Sequence, residues 1–166
     1  MRTRLALLLS LSLAATLLAA PLPLAAAGPG TPQTSTTRLA GANEVPAVES
    51  HAAGTAIVRF NADRTTMTYR LVVTNLHDVT MAHIHLAPAG QNGPVVVWLY
   101  PSGPPPQLLP GRTNGVLASG TITAADLVGP LAGHTLDSLA AAIAAGDAYV
   151  NVHTAAFPAG EIRGQL

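Results

Sequence analysis

The chain has 166 residues, enough for one domain, with eight basic and eight acidic side chains and 49% hydrophobic residues. It contains no cysteine and no lysine, which excludes a disulfide framework, thiol catalysis, a thiolate metal site and the lysine of a phosphate-binding loop. Only 10% of residues are charged and no basic cluster exists, so nucleic acid is excluded as a partner and a packed domain is favoured over a disordered one.

Arg2 and Arg4 open the chain, Leu5 to Ala20 is almost wholly apolar, and Pro21, Pro23 and Ala25-Ala26-Ala27 follow. That order reads as a secretory signal peptide over residues 1–27, cleaved after Ala27. The alternative is an uncleaved anchor helix, but the apolar run is short of the roughly 20 residues a span needs and ends in prolines. The mature chain is expected to be secreted or extracytoplasmic, with no membrane span of its own. Losing Arg2 and Arg4 leaves six of the eight basic residues against eight acids, a formal charge of −2. Residues 28–37, rich in Gly, Pro, Thr and Ser, read as a disordered linker, and residues 38–166 as the domain.

Within the domain, Leu39 to Pro46 starts as a short edge strand that Pro46 ends. Thr55 to Phe60 places Ala56, Val58 and Phe60 on one face, and Thr66 to Thr74 places Met67, Tyr69, Leu71 and Val73 on one face. These two runs read as a hairpin around Asn61-Ala62-Asp63-Arg64. Asn75-Leu76-His77-Asp78 reads as a further turn, Thr80 to Leu86 as a strand, and Val95 to Tyr100 as a buried strand between two proline-rich loops. Val116 to Ile122 reads as a strand, with Thr123 capping a short turn. Leu136, Leu139, Ala140 and Ile143 fall at helical spacing, with Thr135 placed to cap and Gly146 to stop a helix over residues 136–145. Ala148 to Thr154 and Gly160 to Leu166 complete the strands. Seven to eight short strands with one short helix predict an all-β, antiparallel fold, either a β-sandwich or a partly open Greek-key barrel.

The chemistry concentrates in two strands. In Ala82-His83-Ile84-His85 the two histidines project to one face, because side chains alternate along a strand. In Tyr149-Val150-Asn151-Val152-His153-Thr154 the polar face carries Tyr149, Asn151 and His153. Three imidazoles from two neighbouring strands form a candidate site for copper or zinc, with a fourth position open. On the other reading they are structural, satisfied by Asn151 and Tyr149. Glu161 and Arg163 share a strand face. They could stand behind the histidines, with Glu161 accepting an imidazole N–H, or form a structural ion pair that also involves Arg70 or Glu44. His51, His77 and His134 fall in turns and read as surface residues.

Four motifs in order carry a family resemblance: Leu39-Ala40-Gly41-Ala42-Asn43-Glu44-Val45-Pro46; Ala82-His83-Ile84-His85 with Asn92-Gly93-Pro94-Val95-Val96-Val97; Tyr149 to Thr154; and Pro158-Ala159-Gly160-Glu161-Ile162-Arg163-Gly164-Gln165. Over residues 38–166 the chain resembles the CHRD family, first described in chordin and present in exported bacterial proteins. Ala47 departs from it, standing where the family tends to repeat the proline. The resemblance implies an exported β-rich domain and supplies no agreed activity, so function must be argued from the site.

The reading that results is an exported, non-enzymatic binding or structural module, with copper or zinc held by His83, His85 and His153. Its macromolecular partner would be an extracellular or matrix protein. Two alternatives stand beside it. One is a metalloenzyme, whose His-x-His strand would be similar to that of copper–zinc superoxide dismutase, although the other ligand spacings and the disulfide of that enzyme are missing here. The other is a plain adhesion or matrix domain. Nothing in the sequence supports a serine elbow or a spaced carboxylate pair.

Overall fold

The structure, a computed structural model, describes residues 30–166. The expected signal peptide over residues 1–27 lies outside them. Seven strands run antiparallel: β1 (Gln33–Ala40), β2 (Ala53–Phe60), β3 (Met67–Leu86), β4 (Val95–Tyr100), β5 (Leu109–Ile122), β6 (Ala148–Thr154) and β7 (Ile162–Gln165). One α-helix, α1 (Leu136–Ala145), precedes β6. The strand order β2-β1-β7-β6-β3, with β3 returning to pair β2, closes the sheet into a barrel. The expected all-β antiparallel class, strand number and single helix are those observed. Among the described residues no helix is long and apolar enough to cross a membrane.

The barrel closes because β3 is one 20-residue strand rather than two strands and a turn. Leu71, Val73, Leu76, Val79, Ala82 and Ile84 are all fully buried. Their spacing is two, then three, three, three, then two. Each step of three requires one extra residue in the ladder, a β-bulge, for the next apolar side chain to return to the core face. Register shifts lie at those steps: against β5 between Val73 and Leu76 and between His77 and Val79, and against β6 between Val79 and Met81. Asn75 (φ 58°) and Asp78 (φ 51°) take the left-handed conformation that their short polar side chains tolerate. The residues expected to make a turn therefore bend a continuous strand. Its first half pairs with β2 and β5, its second with β6 and β4.

Three further expectations change. Gln33 to Thr37, expected in a linker, pair residue for residue with Ile57 to Phe60 and Ala56 of β2. The small hydroxylated side chains that suggested disorder suit a strand once a partner supplies the ladder. β1 is not an edge either, since Ala40 also pairs with Arg163 of β7, and Gly41 to Asn43 then form a single 3-10 turn. The strand expected at Val116 begins earlier, at Leu109. Helix α1 buries Leu136, Leu139, Ala140 and Ile143, and Gly146 ends it at φ 75°. Thr135 stands at its N-cap without capping a backbone N–H; its hydroxyl donates to the Asp137 carboxylate at 3.4 Å. The short turn after β5 is closed as expected at Thr123, whose backbone N–H and hydroxyl both donate to Asp126.

Candidate metal centre

In the paired halves of β3 and β6, both faces of the sheet are buried. Ala82, Ile84, Val150 and Val152 fill the barrel core. The opposite face carries a polar row, set by register: Trp98 on β4 beside His83 on β3, His83 beside Asn151 on β6, and Asn151 beside Arg163 on β7. His153 lies opposite Met81, one diagonal step from His83. The strand alternation thus delivers three histidines to one place from residues 70 positions apart.

His83, His85 and His153 are 2%, 8% and 5% exposed. One nitrogen from each lies within 4.8 Å of the others. The closest approach is His83 Nδ1 to His153 Nε2 at 3.3 Å. Two metal–nitrogen bonds of about 2.0–2.1 Å at a tetrahedral angle place their nitrogens roughly 3.3 Å apart. The same contact in the absence of an ion is an N–H···N bond from His83 to His153.

Two backbone carbonyls orient the rings. His85 Nδ1–H donates to Gly93 O at 2.9 Å, and His153 Nδ1–H donates to Pro158 O at 2.9 Å. Each bond places the proton on Nδ1 and leaves a bare lone pair on Nε2, the arrangement in which protein ligands present imidazole to a metal. His83 Nε2 and His85 Nε2 are buried and have no hydrogen-bond partner. Each such orphan costs on the order of 1–3 kcal/mol in a folded protein, and coordination through His85 Nε2 removes that cost at His85. The donor set therefore fits a transition-metal ion.

Burial holds all three rings neutral. It pushes the His83 pKa down to about 3, helped by the nearby His153 and His85, and the His153 pKa down to about 4, against the opposing bond to Pro158. It lowers that of His85 in the same way. Aromatic contacts fix the rings from the sides. Trp98 meets His83 edge to face at 4.2 Å, and Tyr149 stacks on His85 at 4.8 Å.

The remaining candidates form a second constellation beside the histidines. Arg163, 1% exposed, donates to Gln91 O at 2.7 Å and to Asn92 Oδ1 at 3.1 Å, and its guanidinium lies 3.4 Å from the Tyr149 ring centre. It thereby holds the loop that presents the Gly93 carbonyl. Tyr149 and Asn151 hydrogen-bond no imidazole. The Tyr149 hydroxyl accepts from Gly93 N–H at 3.2 Å, and Asn151 donates to Glu44 Oε2 at 3.2 Å. Burial raises the Glu44 pKa to about 7, although Arg163 and the Asn151 bond pull it down. Of the two roles expected for Glu161, the contacts are structural and not to the rings: its two oxygens accept from Ser50 and Thr154 hydroxyls, each at 2.7 Å, and neither an imidazole nor Arg163 hydrogen-bonds to it. Arg70, His51, His77 and His134 are exposed.

Sequence reasoning did not find the two orienting carbonyls or Trp98's place beside His83. Their only signal was position: Gly93 and Pro158 each lie inside one of the quoted motifs. Gly93 cannot carry a side chain, because a Cβ there would fall 2.0 Å from Leu86 O.

No curated protein and no solved structure matches the chain. The family model of the CHRD domain matches residues 35–166, which include both histidine strands, the Gly93 and Pro158 carbonyls and Arg163, and the chain belongs to the CHRD-domain family.

Proposed function

We propose that this protein is an extracellular, non-enzymatic binding module that holds one copper or zinc ion through His83, His85 and His153. Membership of the CHRD family supports a binding or structural module of extracellular type. The leader-like residues 1–27 support export with cleavage after Ala27. The observation that carries the metal reading is the 3.3 Å contact between His83 Nδ1 and His153 Nε2 beside the buried, partnerless Nε2 of His85. A purely structural role would leave His85 Nε2 buried without a donor. Imidazole donors with no carboxylate among them suit copper or zinc and not calcium or magnesium.

Calorimetric titration of the untagged protein with copper and with zinc tests this reading. Binding tighter than about 10 μM, abolished by His83→Ala with His153→Ala, is expected. Absence of binding by either metal, or binding that survives the double substitution, would leave the histidines structural, joined by the N–H···N bond between His83 and His153.

A further inference from the structure

The three histidines supply three donors, and a tetrahedral ion takes four. The register sets one further soft side chain beside them. Met81, His83 and His85 alternate along β3, so Met81 lies on the histidine face, and it pairs directly across the ladder with His153. Directly opposed residues have Cβ atoms about 4.5–5.5 Å apart, within reach of an unbranched side chain with three rotatable bonds.

Met81 is also out of place as a core residue. Ala82 and Ile84 beside it are fully buried in the barrel, whereas Met81 is half-buried and takes no part in the hydrophobic core cluster. The other methionine among the described residues, Met67, is fully buried inside it. A solvent-facing apolar residue alone would be ordinary. An unbranched thioether set opposite one imidazole and two residues from another, in a chain without cysteine, is the single soft donor the site has.

We infer that Met81 is the fourth donor of the centre and that the centre is built for monovalent copper. This rests on the metal reading above and goes beyond it. Thioether sulfur is a soft ligand that favours Cu(I), while three imidazoles alone hold zinc or copper without that preference. The closed, apolar surroundings of the site suit the same ion. Trp98 flanks His83, Tyr149 flanks His85, and no carboxylate oxygen hydrogen-bonds any of the three rings. A low-charge ion needs no anionic ligand to be neutralised.

The test compares the full protein with Met81→Leu, which keeps volume and apolarity at a half-buried site and so keeps the fold. Cu(I) affinity is measured anaerobically by competition with a chromophoric chelator, zinc affinity by calorimetry, and the Cu(I) ligands by X-ray absorption. The expected result is a loss of at least about tenfold in Cu(I) affinity, the lower end of what a supporting residue contributes, with zinc affinity unchanged. The absorption spectrum should contain a sulfur scatterer that disappears in the variant. If Cu(I) binds, the histidines are needed, and Met81→Leu changes neither affinity nor spectrum, the inference fails and the three-histidine site stands. If neither ion binds the unsubstituted protein, both fail.

Discussion

Arg163 lies over Tyr149 with its guanidinium carbon 3.4 Å from the ring centre, and the same ring stacks on His85 at 4.8 Å with planes 9° apart. The phenol is sandwiched, and a fully buried cation is linked to a candidate metal ligand through one aromatic ring. Arg163 acts on His85 by a second route. It holds Gln91 and Asn92, two residues ahead of the Gly93 carbonyl that accepts from His85.

Replacing Arg163 with lysine should therefore cost more than a charge-conserving change suggests. Lysine cannot lie flat on the ring or serve two loop acceptors with a planar fork. Losing charge-assisted hydrogen bonds of about 1.5–3 kcal/mol each should lower unfolding free energy by roughly 2–4 kcal/mol. Metal affinity should fall about 10–100-fold as the Gly93 carbonyl loses its anchor. Urea denaturation and calorimetry read the two effects, and an unchanged affinity would sever the proposed link.

Two glycine-to-alanine changes in neighbouring loops should behave oppositely. At Gly93 an added Cβ meets Leu86 O at 2.0 Å and the Ala87 Cβ at 2.8 Å, so the loop must shift. Gly93→Ala should destabilise by several kcal/mol and weaken metal binding. At Gly103 a Cβ meets nothing within 4 Å, and Gly103→Ala should stay within about 0.5 kcal/mol of the parent. Thermal melts with and without metal distinguish them.

The pH dependence of the metal-free protein carries two opposing signs. His83 and His153 have folded pKa values of about 3 and 4 against an unfolded 6.5, so between those values the unfolded chain binds more protons and stability falls as pH falls. Glu44 runs the other way. Its folded pKa of about 7 against an unfolded 4.5 means that its contribution is complete below 4.5 and is lost as pH rises toward 7. Stability should climb from pH 3 to 6.5, with Glu44 flattening the upper part.

Glu44→Gln isolates that component. Glu44 Oε1 and Asn151 Oδ1 are both buried without partners, and both lie within 3 Å of one point, the position a Cβ on Gly160 would take. A glutamine amide can donate to Asn151 Oδ1 while its carbonyl accepts from Asn151 Nδ2, as a protonated carboxyl would. The variant should be more stable than the parent above pH 7, by about 1–2 kcal/mol, and should steepen the rise between pH 4.5 and 6.5. A urea midpoint series across pH measures both, and a variant less stable than the parent at pH 8 would contradict the pairing.

Neutral imidazoles also set the proton count of metal binding. Three ordinary histidines with pKa 6.5 would release about two protons at pH 6 on binding a metal. The depressed values predict almost none from His83 and His153, and the lowered pKa of His85 less than its ordinary share. Calorimetry in buffers of different ionisation enthalpy gives that count directly.

Much of the fold could be read along the chain. Alternation in residues 55–60 and 66–74 and helical spacing in residues 136–143 each reported a real element, because each depends on neighbours a few residues away. The turn expected at Asn75 to Asp78 did not form. Polar residues able to take positive φ signal a reversal and a bulge equally well, and the choice depends on which strands stand beside them. β1 was hidden for a related reason, since Gln33 to Thr37 have no apolar pattern and become a strand only against β2.

By itself the sequence determined that His83 and His85 share a face, that His153 faces the same way on its own strand, and that no thiol competes with them. Side-chain direction in a strand follows from local geometry, so this much needs no partner. Only the tertiary structure decided that the two strands are neighbours in the register that brings His83 and His153 to 3.3 Å, and that both faces of the pair are buried. It also decided that two backbone carbonyls, rather than Glu161, hold the imidazole protons. A carbonyl has no residue identity to be read in a sequence, and burial is a property of what folds over a residue. Those two facts turn three histidines into a set of buried, neutral donors whose nitrogens converge.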